Sequence, residues 1–428
     1  MVVPNKSLRK GGLLTGVRPL LILVLLIITI PLTMTVIDRL RTDVQLDNEG
    51  GASAAPLCES QPTQELCASV KVGDIEQRYA LYMAATPTAD TVIYDPGGPG
   101  VSALSGTLTL QSVQERLPSE YNLLVLEEPW VTKEISENCS NSMSGYYSAL
   151  REAEGIEAAA LSIQVECALG QGMYGFTPER YREAVSMISE SRNLQIKGFL
   201  GHSFGSVRLS YLDSTVPNIQ PAWAIVTRPF PVGVEADELM QSRADVLRGV
   251  LPGEIASHEF AVEISSRSIP VTRFDQFSAF VGTGYVADAE LDEVLSSISS
   301  VADPQLIGTL SDQLWMRYGV DALSPGVLAF WEETCDTMGQ VTNPPEGISS
   351  VEDILFATAS VCDSFDVAST VESGGTDVCV TSSVGDSVAP ASLIGEVFDE
   401  AIVLSVDSRA HGDVIGWEDC WDEVVSDD

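Results

Sequence analysis

Short apolar segments that end in turn-forming residues recur along the chain and predict strands. They fall at residues 79–83, 91–94, 122–126, 196–200, 378–381 and 401–406. Between them, residues 142–169 and 178–192 carry apolar side chains at helical spacing. Strands that alternate with helices favour a mostly parallel central sheet with helices on both faces. The pattern therefore predicts an α/β fold.

Residues 233–372 follow a different pattern, which acidic helical segments such as 288–297 dominate. Strand signals return only after this stretch. An insertion explains that return, whereas a separate C-terminal domain leaves it unexplained. We therefore expect a mainly helical cap at 233–372, inserted between two parts of one core at 58–232 and 373–428.

The N-terminal part contains an uncharged run over residues 19–37 that is preceded by basic side chains. Nineteen helical residues span about 28 Å, close to the ~30 Å of a bilayer core. The basic flank keeps the N-terminus in the cytoplasm. Residues 1–41 therefore predict an uncleaved signal-anchor, and the small, polar residues 42–57 predict a flexible stalk. A cleaved signal, which would give a secreted protein, is the alternative.

Acidic residues far outnumber basic ones, at 61 against 23, which gives a net charge of -38. Such a surface repels phosphate backbones, so nucleic acid is not an expected partner. The membrane is expected to contact only the N-terminal helix. The acidity suits concentrated salt, where self-repulsion is screened; ordinary acidic drift in composition is the alternative.

The eight cysteines include no C-x-x-C motif, and histidines number only three. Neither a metal nor another cofactor is therefore expected. An even number of cysteines in an exported chain favours disulfides, although buried free thiols remain an alternative. Pairing each cysteine with its sequence neighbour predicts Cys58–Cys67, Cys139–Cys167, Cys335–Cys362 and Cys379–Cys420.

The pentapeptide Gly201-His202-Ser203-Phe204-Gly205 matches the G-x-S-x-G nucleophile elbow. An apolar strand is predicted before it and a helix after it, which is the context that this turn requires. A serine hydroxyl is a poor nucleophile until a base removes its proton. The motif predicts Ser203 as a nucleophile that works with a histidine.

His411 is the expected base, because it lies in the loop after the last predicted strand. His202 is expected to point away from the site, and His258 falls in the cap. Asp386 follows the preceding strand and is the expected acid, which orients the imidazole. Asp377 and Asp407 are its rivals.

A tetrahedral intermediate needs backbone N–H donors that are fixed before the reaction. Phe204, the residue after the nucleophile, is expected to supply one. Gly98 is expected to supply the other, from the loop Asp95-Pro96-Gly97-Gly98-Pro99-Gly100 that follows an early strand. A plain Pro-Gly turn is the alternative for this loop.

The motifs PGGPG, GHSFG, the Gly-Asp loop and Ala-His-Gly together resemble the proline iminopeptidase and tripeptidyl aminopeptidase family of α/β-hydrolases. The resemblance covers about residues 58–425. Two positions of the elbow depart from the family pattern, Phe204 and Ser206. The strand over 122–126 continues as EEPW, where the family has D-x-R-G-x-G. The resemblance implies the α/β-hydrolase fold and export with disulfide bonds.

The expected function is a serine aminopeptidase that acts on short peptides through an acyl-enzyme. An esterase or lipase-like hydrolase with the same triad is the alternative, and a non-catalytic surface protein is a third. A free N-terminus is an ammonium group that needs a carboxylate partner when desolvated. Glu127 and Glu128 at the site mouth, or Glu332 and Glu333 in the cap, are candidates for that partner; otherwise they are solvated surface acids.

Overall fold

The structure is a computed structural model. It describes residues 65–104, 107–212, 218–251, 260–299, 303–317, 323–342, 344–362, 376–396, 401–412 and 416–425. The predicted anchor, the predicted stalk and His258 lie outside these residues. Within them, no helix combines the length and the apolar character that crossing a membrane requires.

Ten strands occur in the described part of the chain. They are β1 Glu65–Val72, β2 Ile75–Tyr82, β3 Asp90–Asp95, β4 Asn122–Leu126, β5 Gln195–His202, β6 Trp223–Thr227, β7 Ala261–Val262, β8 Val271–Thr272, β9 Asp377–Ser382 and β10 Ile402–Ser405. Eight of them form one sheet in the order β1-β2-β4-β3-β5-β6-β9-β10. β2 pairs antiparallel with β1 and β4. The neighbours in the rest of the sheet, β4, β3, β5, β6, β9 and β10, pair in parallel. β7 and β8 form a separate antiparallel pair.

Twelve α-helices connect and cover these strands in the described residues. They are α1 Thr107–Arg116, α2 Glu137–Glu152, α3 Ile156–Glu166, α4 Pro178–Arg192, α5 Gly205–Tyr211, α6 Ala236–Val250, α7 Arg273–Gly282, α8 Asp288–Ile298, α9 Pro304–Leu314, α10 Gly326–Met338, α11 Val351–Ala359 and α12 Trp417–Val424. Side-chain caps start several of them, as Ser136 does for α2 and Thr177 for α4.

The central strands are buried along their whole length, as β4 and β6 show. Continuous apolar runs are typical of parallel strands that are covered on both faces. The strand order, the mostly parallel pairing and a sharp turn directly after β5 are those of an α/β-hydrolase. The predicted fold class is confirmed.

The chain leaves the sheet after β6 and returns to the neighbouring position as β9. Helices α6 to α11 and the small β7–β8 pair occupy the chain between these two strands. Their apolar side chains, Trp315 and Trp331 among them, belong to the same buried cluster as the residues of the sheet. The insert is therefore packed onto the core.

Within the described residues, three disulfides join elements of the fold, and all three were predicted: Cys139–Cys167, Cys335–Cys362 and Cys379–Cys420. Cys139, near the start of α2, is bonded to Cys167 at the end of α3. Cys420 of α12 is bonded to Cys379 of β9. The fourth predicted pair includes Cys58, which lies outside the described residues. Disulfides persist in oxidising compartments, so the three bonds indicate such an environment.

Four of the described strands were not predicted: β1, β6 and the short pair β7 and β8. The single helix expected over 142–169 is two, α2 and α3. The break falls at Ala153 and Gly155, whose φ values of 53° and 69° are left-handed and end a helix.

Candidate active site

The turn between β5 and α5 holds Ser203 in a left-handed conformation, with φ at 49°. Space is tight around it: a Cβ on Gly205 would lie 3.0 Å from the carbonyl oxygen of Asp95. A Cβ on Gly201 would lie 2.7 Å from the ring of Phe199. Glycine at position 205 therefore allows the turn to approach β3, and glycine at position 201 leaves room for the ring of Phe199, as the elbow motif requires.

The three residues predicted as a triad come together in one hydrogen-bonded chain. His411 Nε2 lies 2.7 Å from the Oγ of Ser203. His411 Nδ1 lies 2.8 Å from Oδ2 of Asp386. All three side chains are buried, and the elbow, the loop after β9 and the loop after β10 each supply one. This arrangement can pass a proton from the serine to the imidazole.

The carboxylate of Asp386 is held from two sides. Its Oδ1 accepts the backbone N–H groups of Val388 and Ala389, at 2.8 and 2.9 Å. Burial alone would raise the pKa of Asp386, but His411 and these two N–H groups outweigh it and hold the pKa below its ordinary value. The rival acids Asp377 and Asp407 are exposed.

His202 does not point away from the site, contrary to the expectation from its place in the elbow. Its ring centroid lies 5.1 Å from that of His411, and its Nδ1 is 2.8 Å from the hydroxyl of Thr227. Burial and the neighbouring His411 lower the pKa of His202 to about 3. The ring of His202 is therefore neutral and packs beside His411.

The loop after β3 packs directly onto the elbow. Gly97 and Gly98 have φ values of 69° and 58°, a region that glycine enters without steric cost. A Cβ on Gly97 would lie 2.0 Å from the carbonyl oxygen of His202 and 2.7 Å from the nitrogen of Phe204. The two predicted oxyanion residues, Gly98 and Phe204, therefore belong to segments in contact.

The surroundings of His411 include an exposed aromatic side chain. Tyr285, in the insert, remains 51% exposed, and its ring stands edge-on to His411 with centroids 5.7 Å apart. The residue before it, Gly284, accepts the backbone N–H of His411 at 2.7 Å. The insert therefore supplies part of the wall around the base.

Glu127 is buried, and its carboxylate binds the chain that follows the glycine-rich loop. It accepts the hydroxyl of Ser102 at 2.8 Å and the backbone N–H of Ala103 at 2.9 Å. It also accepts the N–H of Glu128 at 2.9 Å. These bonds fix the loop's exit, so the carboxylate already has partners inside the protein.

Glu128 and Glu333 meet at the buried guanidinium of Arg208, on α5. The Nη2 of Arg208 is 2.7 Å from Glu128 Oε1 and 3.0 Å from Glu333 Oε1, and Asp95 lies 3.3 Å from Nη1. Tyr181 donates its hydroxyl to Asp95. We name the four charged residues Arg208, Glu128, Glu333 and Asp95 the acid cluster. It joins the elbow helix, two strand ends and the insert.

Glu332, the neighbour of Glu333 on α10, accepts backbone N–H groups. Its oxygens receive those of Met173, Tyr174 and Gly175 at 3.1, 2.7 and 2.9 Å. The interpretation of the four glutamates as solvated surface acids is wrong, because each is at most 4% exposed. The alternative role, in binding an ammonium group, stays a prediction.

Sequence reasoning missed Arg208 and Asp95. The signal for Arg208 was a lone charged side chain on the otherwise uncharged helix after the elbow. Asp95 was seen only as the start of a glycine-rich loop, although its carboxylate accepts the N–H of Gly97 at 2.8 Å and so shapes that loop.

No protein-family model and no curated protein matches the chain. Among solved structures, a proline iminopeptidase from Mycobacterium smegmatis is 12% identical, with a TM-score of 0.38 over 85% of this chain and 97% of that one. An esterase from Exiguobacterium antarcticum is 13% identical, with a TM-score of 0.37 over 85% and 98%. An α/β hydrolase from a Medee basin deep-sea metagenome library is 11% identical, with a TM-score of 0.40 over 84% and 96%. Likeness this distant adds nothing to the fold assignment, which rests on the strand order and the elbow.

Proposed function

We propose that the protein is a serine hydrolase that works through an acyl-enzyme. The observation that carries this proposal is the unbroken chain of hydrogen bonds from Ser203 Oγ through His411 to Asp386, at 2.7 and 2.8 Å. A bonded serine and imidazole, with the imidazole held by a buried carboxylate, is the geometry that activates a serine nucleophile.

In the proposed reaction, His411 removes the proton of Ser203 while its oxygen attacks a substrate carbonyl. The developing oxyanion is bound by the backbone N–H groups of Phe204 and Gly98. His411 then gives the proton to the leaving group, and the acyl group remains on Ser203. A water molecule, activated by the same imidazole, releases the acid and restores the enzyme.

We further propose that the substrates are short peptides with a free N-terminus. Support comes from the resemblance of the motifs to aminopeptidases and from the acid cluster, which sets three carboxylates against one guanidinium. The acid cluster adjoins the glycine-rich loop through Asp95, and its carboxylates would favour a cationic group nearby as they ionise. The insert limits access to the site, so that only small substrates enter.

An esterase is the second candidate, and a specific observation favours it. Glu127 and Glu332 bind backbone N–H groups, while Glu128 and Glu333 bind Arg208. Carboxylates that already have internal partners gain less from a substrate ammonium, since those partners would have to be given up. Neutral esters need no such partner.

Paired substrates separate the two candidates. Rates are compared on short peptide anilides with a free amine, on the same anilides after N-acetylation, and on p-nitrophenyl esters. The aminopeptidase proposal expects cleavage of the free-amine anilides and its loss on acetylation. Equal rates on free and acetylated anilides contradict it, and turnover of the esters alone supports the esterase.

We also propose that the hydrolase acts outside the cytoplasm, held by one N-terminal membrane helix. The three disulfides support an oxidising location, and the uncharged run over 19–37 with its basic flank supports the anchor. Carbonate extraction of membranes tests this: an anchored protein stays in the pellet, whereas a protein secreted after signal cleavage appears in the medium.

A further inference from the structure

Arg228 directly follows β6 and is completely buried. Its φ of 53° lies in the left-handed region, which an arginine rarely adopts. Strained backbone of this kind persists where the surrounding structure fixes it, and it concentrates at functional sites. A buried cation in such a conformation therefore directs attention to its contacts.

The backbone around Arg228 links the elbow to the strand that leads to Asp386. The carbonyl of Thr227 accepts the N–H of Ser203 at 2.9 Å, and Phe230 donates its N–H to the carbonyl of Ser203 at 3.0 Å. Between them, Arg228 donates its own N–H to Thr381 of β9 at 2.8 Å. The segment thus holds the nucleophile against β9.

The side chain of Arg228 reaches the other two loops of the site. Its Nη1 donates to the carbonyl oxygen of Ser408 at 3.1 Å, in the loop that carries His411. The same nitrogen lies 3.8 Å from Oδ2 of Asp386, the oxygen that is bonded to His411. One guanidinium therefore contacts both the acid and the loop of the base.

We infer that Arg228 is a positioning residue, which ties the acid loop to the histidine loop and whose charge sets the pH range over which the triad reacts. The inference rests on the proposed serine hydrolase. A positive charge beside Asp386 offsets part of the field that would otherwise stabilise a protonated imidazole.

The other ionisable or charged groups around this pair come from three directions. They are His202 of the elbow, Tyr285 and Arg243 of the insert, the latter through the carbonyl of Ser387, and Arg409 of the histidine loop, which is paired with Asp288. His202 stays neutral in this range, and Asp288 balances Arg409. Arg228 is the cation in ion-pair contact with Asp386, so its removal is expected to move the pH dependence.

The rate at which a fluorophosphonate probe labels Ser203, measured from pH 4 to pH 9, tests the inference without knowledge of the substrate. Arg228→Gln keeps a hydrogen-bond donor but removes the charge, and it should raise the pH of half-maximal labelling by about one unit. Arg228→Lys keeps the charge but loses the planar fork. It should keep the wild-type pH dependence and label about tenfold more slowly at every pH.

Arg267→Met is the matched control, because Arg267 is another buried guanidinium, paired in the insert with Asp275 and Asp312. It should lose stability without a shift in the labelling profile. Arg228→Met serves as the neutral variant if the glutamine variant does not fold. If the neutral variant labels with the pH dependence of the wild type, the proposed role of the charge is wrong. If the lysine variant labels as fast as the wild type, Arg228 does not tie the acid loop to the histidine loop. Labelling of Ser203→Ala would instead contradict the proposed function itself.

Discussion

Ser203 combines a left-handed backbone with a hydroxyl bonded to an imidazole, and this combination makes it the reactive serine of the proposed mechanism. We expect a fluorophosphonate probe to label the protein at Ser203. Ser203→Ala should abolish labelling and lower turnover by a factor of about 10⁴ or more, while melting like the wild type. Mass spectrometry of the labelled peptide identifies the site. Full activity in the alanine variant would show that another nucleophile acts.

Asp386 and His411 are expected to act with Ser203 as one unit. His411→Ala and Asp386→Asn should each lower kcat by about 10⁴, with little change in KM. Their double variant should be scarcely slower than the slower single variant, because residues of one unit are not additive. Steady-state kinetics on a p-nitrophenyl ester measure all three. Near-normal activity in Asp386→Asn would remove that residue from the mechanism.

At the scale of elements, the acid cluster joins α10 of the insert to α5 and to the ends of β3 and β4. Burial raises the pKa of Glu333 from its ordinary value of 4.5 to about 7, against the opposing effect of Arg208. Between pH 4.5 and about 7, Glu333 is protonated in the folded state but ionised in the unfolded state. The contribution of Glu333 to stability therefore falls as the pH rises from 4.5 to about 7 and is level above it.

Glu333→Gln removes this titration while keeping shape and a hydrogen-bond acceptor. We expect the free energy of unfolding to fall between pH 5 and pH 8 by about 2 kcal/mol less in the variant than in the wild type. Chemical denaturation at the two pH values measures it. Glu332→Gln is the control for the loss of a buried carboxylate from the same helix, since that carboxylate binds backbone N–H groups. Identical pH dependence in wild type and Glu333→Gln would contradict the interpretation.

The elements that sequence patterns predicted well are those whose signal is local. The strand at 122–126 and the helix at 178–192 agree with β4 and α4 at both ends, because turn residues and a proline at the helix start mark their bounds. β6 was missed although its first four residues are apolar, since so short a run does not distinguish a strand from a buried helix.

The residues of the candidate site also divide into those with a local sequence signal and those without one. Ser203, Asp386 and His411 follow from motif and chain order, because each comes at the end of a strand in a known fold. Arg208 and Arg228 could not be found in this way. Their partners are 125 and 180 residues distant in sequence, at Glu333 and Ser408, and only the folded chain brings them together.

For the whole molecule, the net charge of -38 is the dominant physical property. Mutual repulsion of the acids opposes the compact state and is screened within about 3 Å at molar salt. We expect the melting temperature to rise as NaCl increases from about 0.1 to about 2 M. Differential scanning calorimetry checks this, with a sucrose series as the control for exclusion effects that do not involve charge. A melting temperature that is flat or falls would contradict salt adaptation.

The insertion between β6 and β9 has a consequence for how activity arises. Ser203 is synthesised 208 residues before His411, and the two strands that flank the insert pair only after the whole insert has been made. Pairing over such a separation is slow, because a long loop must close first. A growing chain therefore carries a serine hydroxyl with no base beside it. Hydrolytic activity begins only where the last segment, with Asp386 and His411, folds against the first.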